Sequence, residues 1–243
     1  MAGTKRANSG SDVIDKKKKP NITLGYWNIR GFAQPIRHLL AWANVEFNNV
    51  TYQQGDESTN FDRSDWNERK PLFEKDYPFI NLPYYEDEDV KLSQSTAIFN
   101  YIARKYGMDK GRSNKELAII EMLIFEIIDI RSRFVGLCYN QNYNEELKKN
   151  YWDTFAINKW KRISLFLGNQ KFICGELSSA DFYLYEMIYH HIKMFPKLFL
   201  ETFPNFKNLK ESFETIPNIA KYIKTSNSAN LPLNNRSAKF GGK

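Results

Sequence analysis

Residues 25–31 read Gly25-Tyr26-Trp27-Asn28-Ile29-Arg30-Gly31. Upstream, Ile22, Leu24 and Tyr26 alternate as in a strand. Downstream, Ala33, Ile36, Leu39, Leu40 and Ala43 recur with helical spacing, so the heptapeptide is the turn between a strand and a helix. Pro35 suits the first turn of that helix, where its missing N–H has no bond to make. Such a junction offers backbone donors and the positive end of a helix to an anionic ligand. Tyr26 would stand beside that ligand. Taken alone, Tyr26 and Trp27 read as half-buried strand residues, so any functional meaning has to come from the rest of the chain.

Working outward, residues 21–106 alternate between elements. A strand at 22–27 leads to a helix at 33–43, a strand at 47–52 and a short helix near 61–70. Asn81-Leu82-Pro83-Tyr84 follows, with strands near 84–86 and 89–92 parted by the acidic turn Glu86-Asp87-Glu88-Asp89. Ser93-Gln94-Ser95 opens a helix carrying Ala97, Ile98, Tyr101 and Ile102. This is a βαβ unit followed by a ββα unit, and Pro83, just before a strand, is a place for a cis bond. Residues 107–112 form a linker. From Ser113 to about residue 225 the chain is all helical. Leu117, Ile120, Met122, Leu123, Ile124, Phe125, Ile127 and Ile128 cover more than one face of a long first helix, which marks it as central or as a subunit contact. Further helices are expected near 144–167, 179–195, 205–214 and 217–224. Ser178 and Asp181 have capping-box spacing.

With 243 residues, 42% of them hydrophobic, the chain is large enough for two domains with a packed core. The net charge of +7 sits at its ends: residues 1–19 carry a net +4, and Arg236, Lys239 and Lys243 carry the remaining +3. A neutral body argues against a nucleic-acid groove, and residues 1–20 read as a disordered basic extension, dispensable for catalysis. No apolar run approaches the roughly 18 residues that span a bilayer, and no secretory signal is evident, so membrane insertion is not expected and the cytoplasm is. Cys138 and Cys174 are too few for a disulfide framework. His38, His190 and His191 form no metal or triad constellation.

Tyr26-Trp27-Asn28-Ile29-Arg30-Gly31, Arg63-Ser64-Asp65-Trp66 with Lys70 behind it, Asn81-Leu82-Pro83-Tyr84, and Gln94-Ser95 occur in this order. Together they closely resemble the cytosolic glutathione transferases of the mu class, over residues 22 to about 225. The stretch at 55–66 is similar to the extended loop of that class, and Leu137-Cys138-Tyr139 to another of its patterns. The resemblance implies an α/β N-terminal thioredoxin-like domain followed by an all-α helical domain, the glutathione transferase fold, assembled as a homodimer. It further implies that residues 226–243 form a tail partly lining the electrophile pocket.

By the same resemblance, Tyr26 donates a hydrogen bond to the glutathione thiolate, a role its phenol suits because it stays protonated at neutral pH. Glutathione is then a co-substrate, with no further cofactor. Trp27 lies along the tripeptide, Arg63 is a binding-site position, and Trp66 and Lys70 hold the glycyl carboxylate. Asn81, Leu82 and Pro83 form the segment whose main chain, at Leu82, bonds the cysteinyl backbone. Gln94 and Ser95 fix the γ-glutamyl end, and Asp129 reaches its ammonium across the dimer interface. Phe32, Tyr139 and the segment around 231–240 form the electrophile pocket.

Three departures stand out: Phe32 and Phe240 in place of the usual leucine and tryptophan, and about two extra residues around Tyr77-Pro78-Phe79-Ile80. One of those aromatics is a candidate subunit lock. The implied activity is conjugation of glutathione to hydrophobic electrophiles, a detoxification reaction. A non-enzymatic ligand carrier on the same fold and a glutathione-dependent isomerase stay open as alternatives.

Overall fold

The computed structural model describes residues 21–242; the readings of residues 1–20 lie outside the described residues. Strand β1 (Thr23–Trp27) pairs in parallel with β2 (Asn48–Tyr52), and the crossover between them carries α1 (Gln34–Trp42), entered through a 3-10 turn at Gly31–Ala33. β3 (Tyr84–Glu86) lies antiparallel to β1, and β4 (Lys91–Ser93) antiparallel to β3, giving the order β2-β1-β3-β4. β4 begins two residues later than its alternation suggests. Asp87 Oδ1 accepts the main-chain N–H groups of Asp89 and Val90 and so consumes these residues in the turn.

The predicted helix at 61–70 is two single turns, α2 (Ser64–Asn67) and α3 (Lys70–Phe73). Pro71 explains the break, because it has no N–H with which to continue a helix from α2. The Leu82–Pro83 peptide is cis. After β4, α4 (Ser95–Tyr106) packs on α1 through Ile98, Phe99 and Ile102, all without solvent exposure.

The second domain opens with α5 (Asn114–Cys138), whose start is fixed by a reciprocal capping box between Ser113 and Glu116. The single helix expected at 144–167 is α6 (Glu145–Tyr151), a π-helical turn at Trp152–Ala156, and α7 (Ile157–Leu167). α8 (Ser179–Met194) begins at the Ser178–Asp181 capping box and is buried on nearly all sides against α5 and α1. The short α9 (Leu198–Thr202) was not legible in the periodicity. It is followed by α10 (Asn205–Glu214), α11 (Pro217–Ile223) and the single turn α12 (Ser226–Ala229).

The two domains share one core. On α1, His38 makes edge contacts with the rings of Tyr185, Phe213 and Tyr222. A separate cluster of Ile80 and the aromatic residues Tyr52, Trp66, Tyr77 and Tyr84 joins β2 and β3 to the segment between them. Among the described residues, no helix is long and apolar enough to cross a membrane.

Candidate active site

The sheet topology brings the candidate residues together. β1, β2 and β4 run in one direction and β3 in the other. The ends of β1, β2 and β4 and the start of β3 therefore lie along one edge of the sheet. Tyr26 and Trp27 close β1, Arg63, Trp66 and Lys70 lie beyond β2, Asn81, Leu82 and Pro83 precede β3, and Gln94 and Ser95 follow β4.

Tyr26 is buried, and its hydroxyl oxygen accepts the main-chain N–H of Phe32 at 3.1 Å. That bond uses an oxygen lone pair and leaves the O–H hydrogen free to donate elsewhere. Burial pushes the phenol above its ordinary value, while the Phe32 amide and the charges of Arg131 and Arg37 pull the other way. The net rise keeps Tyr26 protonated, and hence a donor, at neutral pH. Gly31 makes the arrangement possible: its φ is +44°, and a Cβ there would lie 2.4 Å from Tyr26 Cε1 and 2.6 Å from the hydroxyl oxygen.

Trp27 is half-buried and packs against both the main core and the aromatic cluster. Trp66 is buried in that cluster, with its ring 5.0 Å from Tyr52 and stacked on Tyr84. Lys70 is half-buried and Arg63 exposed. The Leu82 N–H donates to the Asn81 side chain at 2.9 Å, and Pro83 is buried. Gln94 caps α4 with φ +71° and ψ 109°, a conformation that costs an L-residue free energy and that clusters at functional sites. Ser95 is the first residue of α4, where main-chain N–H groups lack helical partners. Asp129 comes from α5 rather than the sheet edge; it stands exposed on the face that carries exposed Met122 and Phe125.

Also near Tyr26 are Phe32, 45% exposed, and Tyr139, the residue just beyond α5. Residues 230–242 cross this region. The Tyr139 hydroxyl accepts the N–H of Asn235 at 2.8 Å, and the N–H of Lys239 donates to the Cys138 carbonyl at 2.8 Å. Phe240 turns inward, against the rings of Phe134 and Tyr143.

Sequence reasoning did not identify the role of Arg30. Its Nε and Nη2 donate to both carboxylate oxygens of Glu186, at 2.8 and 2.6 Å, and its main-chain N–H donates to the Pro232 carbonyl at 2.8 Å. One residue thus ties the turn after Tyr26 to α8 and to the C-terminal segment. Burial disfavours the Glu186 charge, yet Arg30 and His190 hold this carboxyl well below its ordinary range. Arg131 was missed as well, although a charge two residues beyond Asp129 in an isoleucine-rich helix was a usable signal. It is 5% exposed, with its guanidinium carbon 4.1 Å from the centroid of the Phe32 ring. His190 and His191 are both committed, to Glu186 and to the Tyr151 hydroxyl. Among the described residues, no group of three His, Cys, Asp or Glu side chains could hold a metal ion.

Comparison with known proteins finds relatives for both domains. The family models for the glutathione S-transferase N-terminal and C-terminal domains match residues 22–104 and 128–226. The chain is 38% identical to "Glutathione S-transferase Mu 5" of Rattus norvegicus over 224 residues, covering 92% of this chain and 96% of the relative. It is 39% identical to "Glutathione S-transferase" of Dermatophagoides pteronyssinus over 202 residues, covering 83% and 89%. Among solved structures, the glutathione S-transferase Blo t 8 superposes with a TM-score of 0.79 at 28% identity, covering 90% of this chain and 99% of that one. The two-domain architecture, the Tyr26 junction and these similarities together make this chain a member of the glutathione S-transferase family, in its mu class.

Proposed function

We propose that this enzyme conjugates the glutathione thiolate to hydrophobic electrophiles in the cytoplasm, removing reactive compounds, and that it does so as a homodimer. The Tyr26 hydroxyl carries this reading. Its oxygen is occupied by the Phe32 amide, its proton is retained by burial, and its free hydrogen is available to a sulfur anion. A donor that favours the thiolate over the thiol lowers the thiol pKa and supplies the nucleophile at neutral pH. The thiolate attacks an electrophilic carbon, a C–S bond forms, and a leaving group departs with its electron pair or a conjugated acceptor takes up the pair and then a proton.

The sheet edge offers complements to the rest of glutathione. Lys70 and Trp66 suit the glycyl carboxylate, the Leu82 main chain the cysteinyl peptide, and the start of α4 with Gln94 and Ser95 the γ-glutamyl carboxylate. Arg63 and Trp27 flank the tripeptide, and Phe32 and Tyr139 face the second substrate. Asp129, exposed on α5, fits a role toward the glutathione of a second subunit.

The dimer reading rests on three exposed apolar features. Met122 and Phe125 are each 58% exposed on α5, and Phe79 is 81% exposed whereas Tyr77 is 2% exposed. Between α4 and α5 lies a cavity of about 340 Å³ lined by Ala103, Leu117, Ile120 and Ile124, apolar enough to take Phe79 of a second copy.

The test is turnover of an activated aryl halide with glutathione by the unsubstituted chain and by Tyr26→Phe. Removing one donor to a developing or stabilised anion costs about a hundredfold in kcat, with glutathione affinity largely kept. Binding to immobilised glutathione without turnover of several electrophiles would favour the carrier reading. Return of unconjugated glutathione with a rearranged substrate would favour the isomerase.

A further inference from the structure

Helix α7 carries a face that the fold leaves uncovered. Trp160, Ile163 and Leu167 turn inward and are buried. Asn158, Lys161, Arg162 and Leu165 follow at intervals of three and one, which places them together on the opposite face, and all four are exposed. Leu165 is 73% exposed, and Phe166, four positions beyond Arg162, is 44% exposed. Around them the charge is of one sign: residues 154–175 hold Lys159, Lys161, Arg162 and Lys171 and no aspartate or glutamate. Lys159 is answered by Glu126 of α5 at 2.7 Å. Carboxylates on adjoining elements are taken by other lysines, Asp153 by Lys149, Glu211 by Lys207 and Glu214 by Lys210. Among the described residues, no carboxylate lies within ion-pair distance of Lys161, Arg162 or Lys171.

We infer that this face of α7 docks reversibly on an anionic lipid surface. The chemistry of the face selects the occupant. Neighbouring cations without carboxylates call for an anionic partner. A nucleic acid would answer them through its phosphates, but its backbone gives no apolar contact to Leu165. A stable protein partner needs about 800 Å² of surface on each side, far more than two apolar side chains on a helix about 16 Å long present. A bilayer surface meets both demands: lipid phosphates and carboxylates pair with Lys161 and Arg162, and the acyl boundary beneath them takes Leu165 and Phe166. It requires no complementary shape, so a short face suffices. Leu165 lies three positions from Arg162 and four from Lys161, hence between them. The long stems of those two residues keep their charges at headgroup level while the leucine goes deeper. So few contacts give reversible attachment at the surface, in keeping with the absence among the described residues of a helix able to cross the bilayer. α7 carries none of the residues assigned to glutathione, so the docking stands apart from the conjugation reading.

The test is sedimentation of the full chain with vesicles of phosphatidylcholine alone and of equal parts phosphatidylcholine and phosphatidylserine, each at low and high salt. The unsubstituted chain is expected to bind the phosphatidylserine vesicles at least about tenfold more tightly than the neutral ones, and to lose this preference at high salt. Lys161→Glu combined with Arg162→Glu should weaken that binding at least about tenfold. Leu165→Ser, which leaves the charge unchanged, should weaken it about threefold or more. These side chains are exposed, and circular dichroism with thermal unfolding checks that the fold is kept. No binding by the unsubstituted chain, or equal binding to both vesicles, would overturn the inference. So would undiminished binding by the charge-reversed chain, which would move the contact to another basic segment such as Lys16–Lys19. A loss with the charge reversal but none with Leu165→Ser would overturn it too, in favour of a nucleic acid or an acidic protein that answers the charge alone.

Discussion

Tyr26 depends on a neighbour that has no side chain. The phenol occupies the space that a Cβ at residue 31 would fill, and the backbone at Gly31 takes a positive φ that L side chains rarely adopt. Gly31→Ala is therefore expected to act twice. Backbone strain should lower stability by about 1–3 kcal/mol, and displacement of the Tyr26 ring should lower kcat beyond what the stability loss explains. Denaturant unfolding and turnover of the same aryl halide, measured on folded protein, separate the two. The Tyr26-Trp27 pair was conspicuous in the sequence. The requirement for glycine was not, because it arises from a side chain five residues earlier folding back over the turn.

Among the elements, the β3–β4 turn is held by one carboxylate. Asp87 Oδ2 accepts from the hydroxyls of Tyr85 and Tyr101 and from Lys105 Nζ, while Oδ1 accepts two main-chain N–H groups. Burial opposes the Asp87 charge, but Lys105, the amides of Asp89 and Val90 and the Tyr85 hydroxyl outweigh it and hold its pKa at about 2. A carboxyl depressed in the folded state contributes stability above its unfolded pKa and loses it as pH falls through the folded value. Asp87→Asn should accordingly cost about 1–2 kcal/mol at pH 7, and its deficit should shrink as pH falls from about 4 toward 2. Unfolding midpoints of the two chains across that range give the comparison. The acidic turn was legible as a turn; its hub was not, since Tyr101 and Lys105 reach it from α4. Likewise, periodicity marked 144–167 as helical, but the π-helical turn at Trp152–Ala156 is a change of hydrogen-bond register that side-chain pattern does not carry.

For the whole molecule, the exposed apolar residues on α5 and the loop before β3 belong to a surface that a single chain leaves uncovered. On the proposed homodimer, Phe79→Ser is expected to yield monomer without unfolding the chain, because a side chain 81% exposed adds nothing to the core of its own chain. Sedimentation of the substituted and unsubstituted chains at matched concentrations reads this directly, with circular dichroism as the check on folding. If Asp129 serves the neighbouring subunit, the monomer should also bind glutathione more weakly. The extra residues around 77–80 were visible in the sequence, but which aromatic points outward was decided by packing, which buries Tyr77 in the cluster with Trp66 and Tyr84 and leaves Phe79 exposed.

The sequence by itself determined the order of elements, the strand-to-helix junction at Tyr26, the all-helical second half and the series of family motifs from Tyr26 to Ser95. These are carried by spacing along the chain and by local turn chemistry, which act between near neighbours. Only the tertiary structure decided that Arg30 ties the turn after Tyr26 to Glu186 and Pro232, that the Asn235 N–H donates to the Tyr139 hydroxyl, and that Arg131 lies against the Phe32 ring. Those pairings join residues about a hundred or more positions apart. They depend on which helix face packs against which loop, a choice made by burial of the shared core rather than by any local pattern.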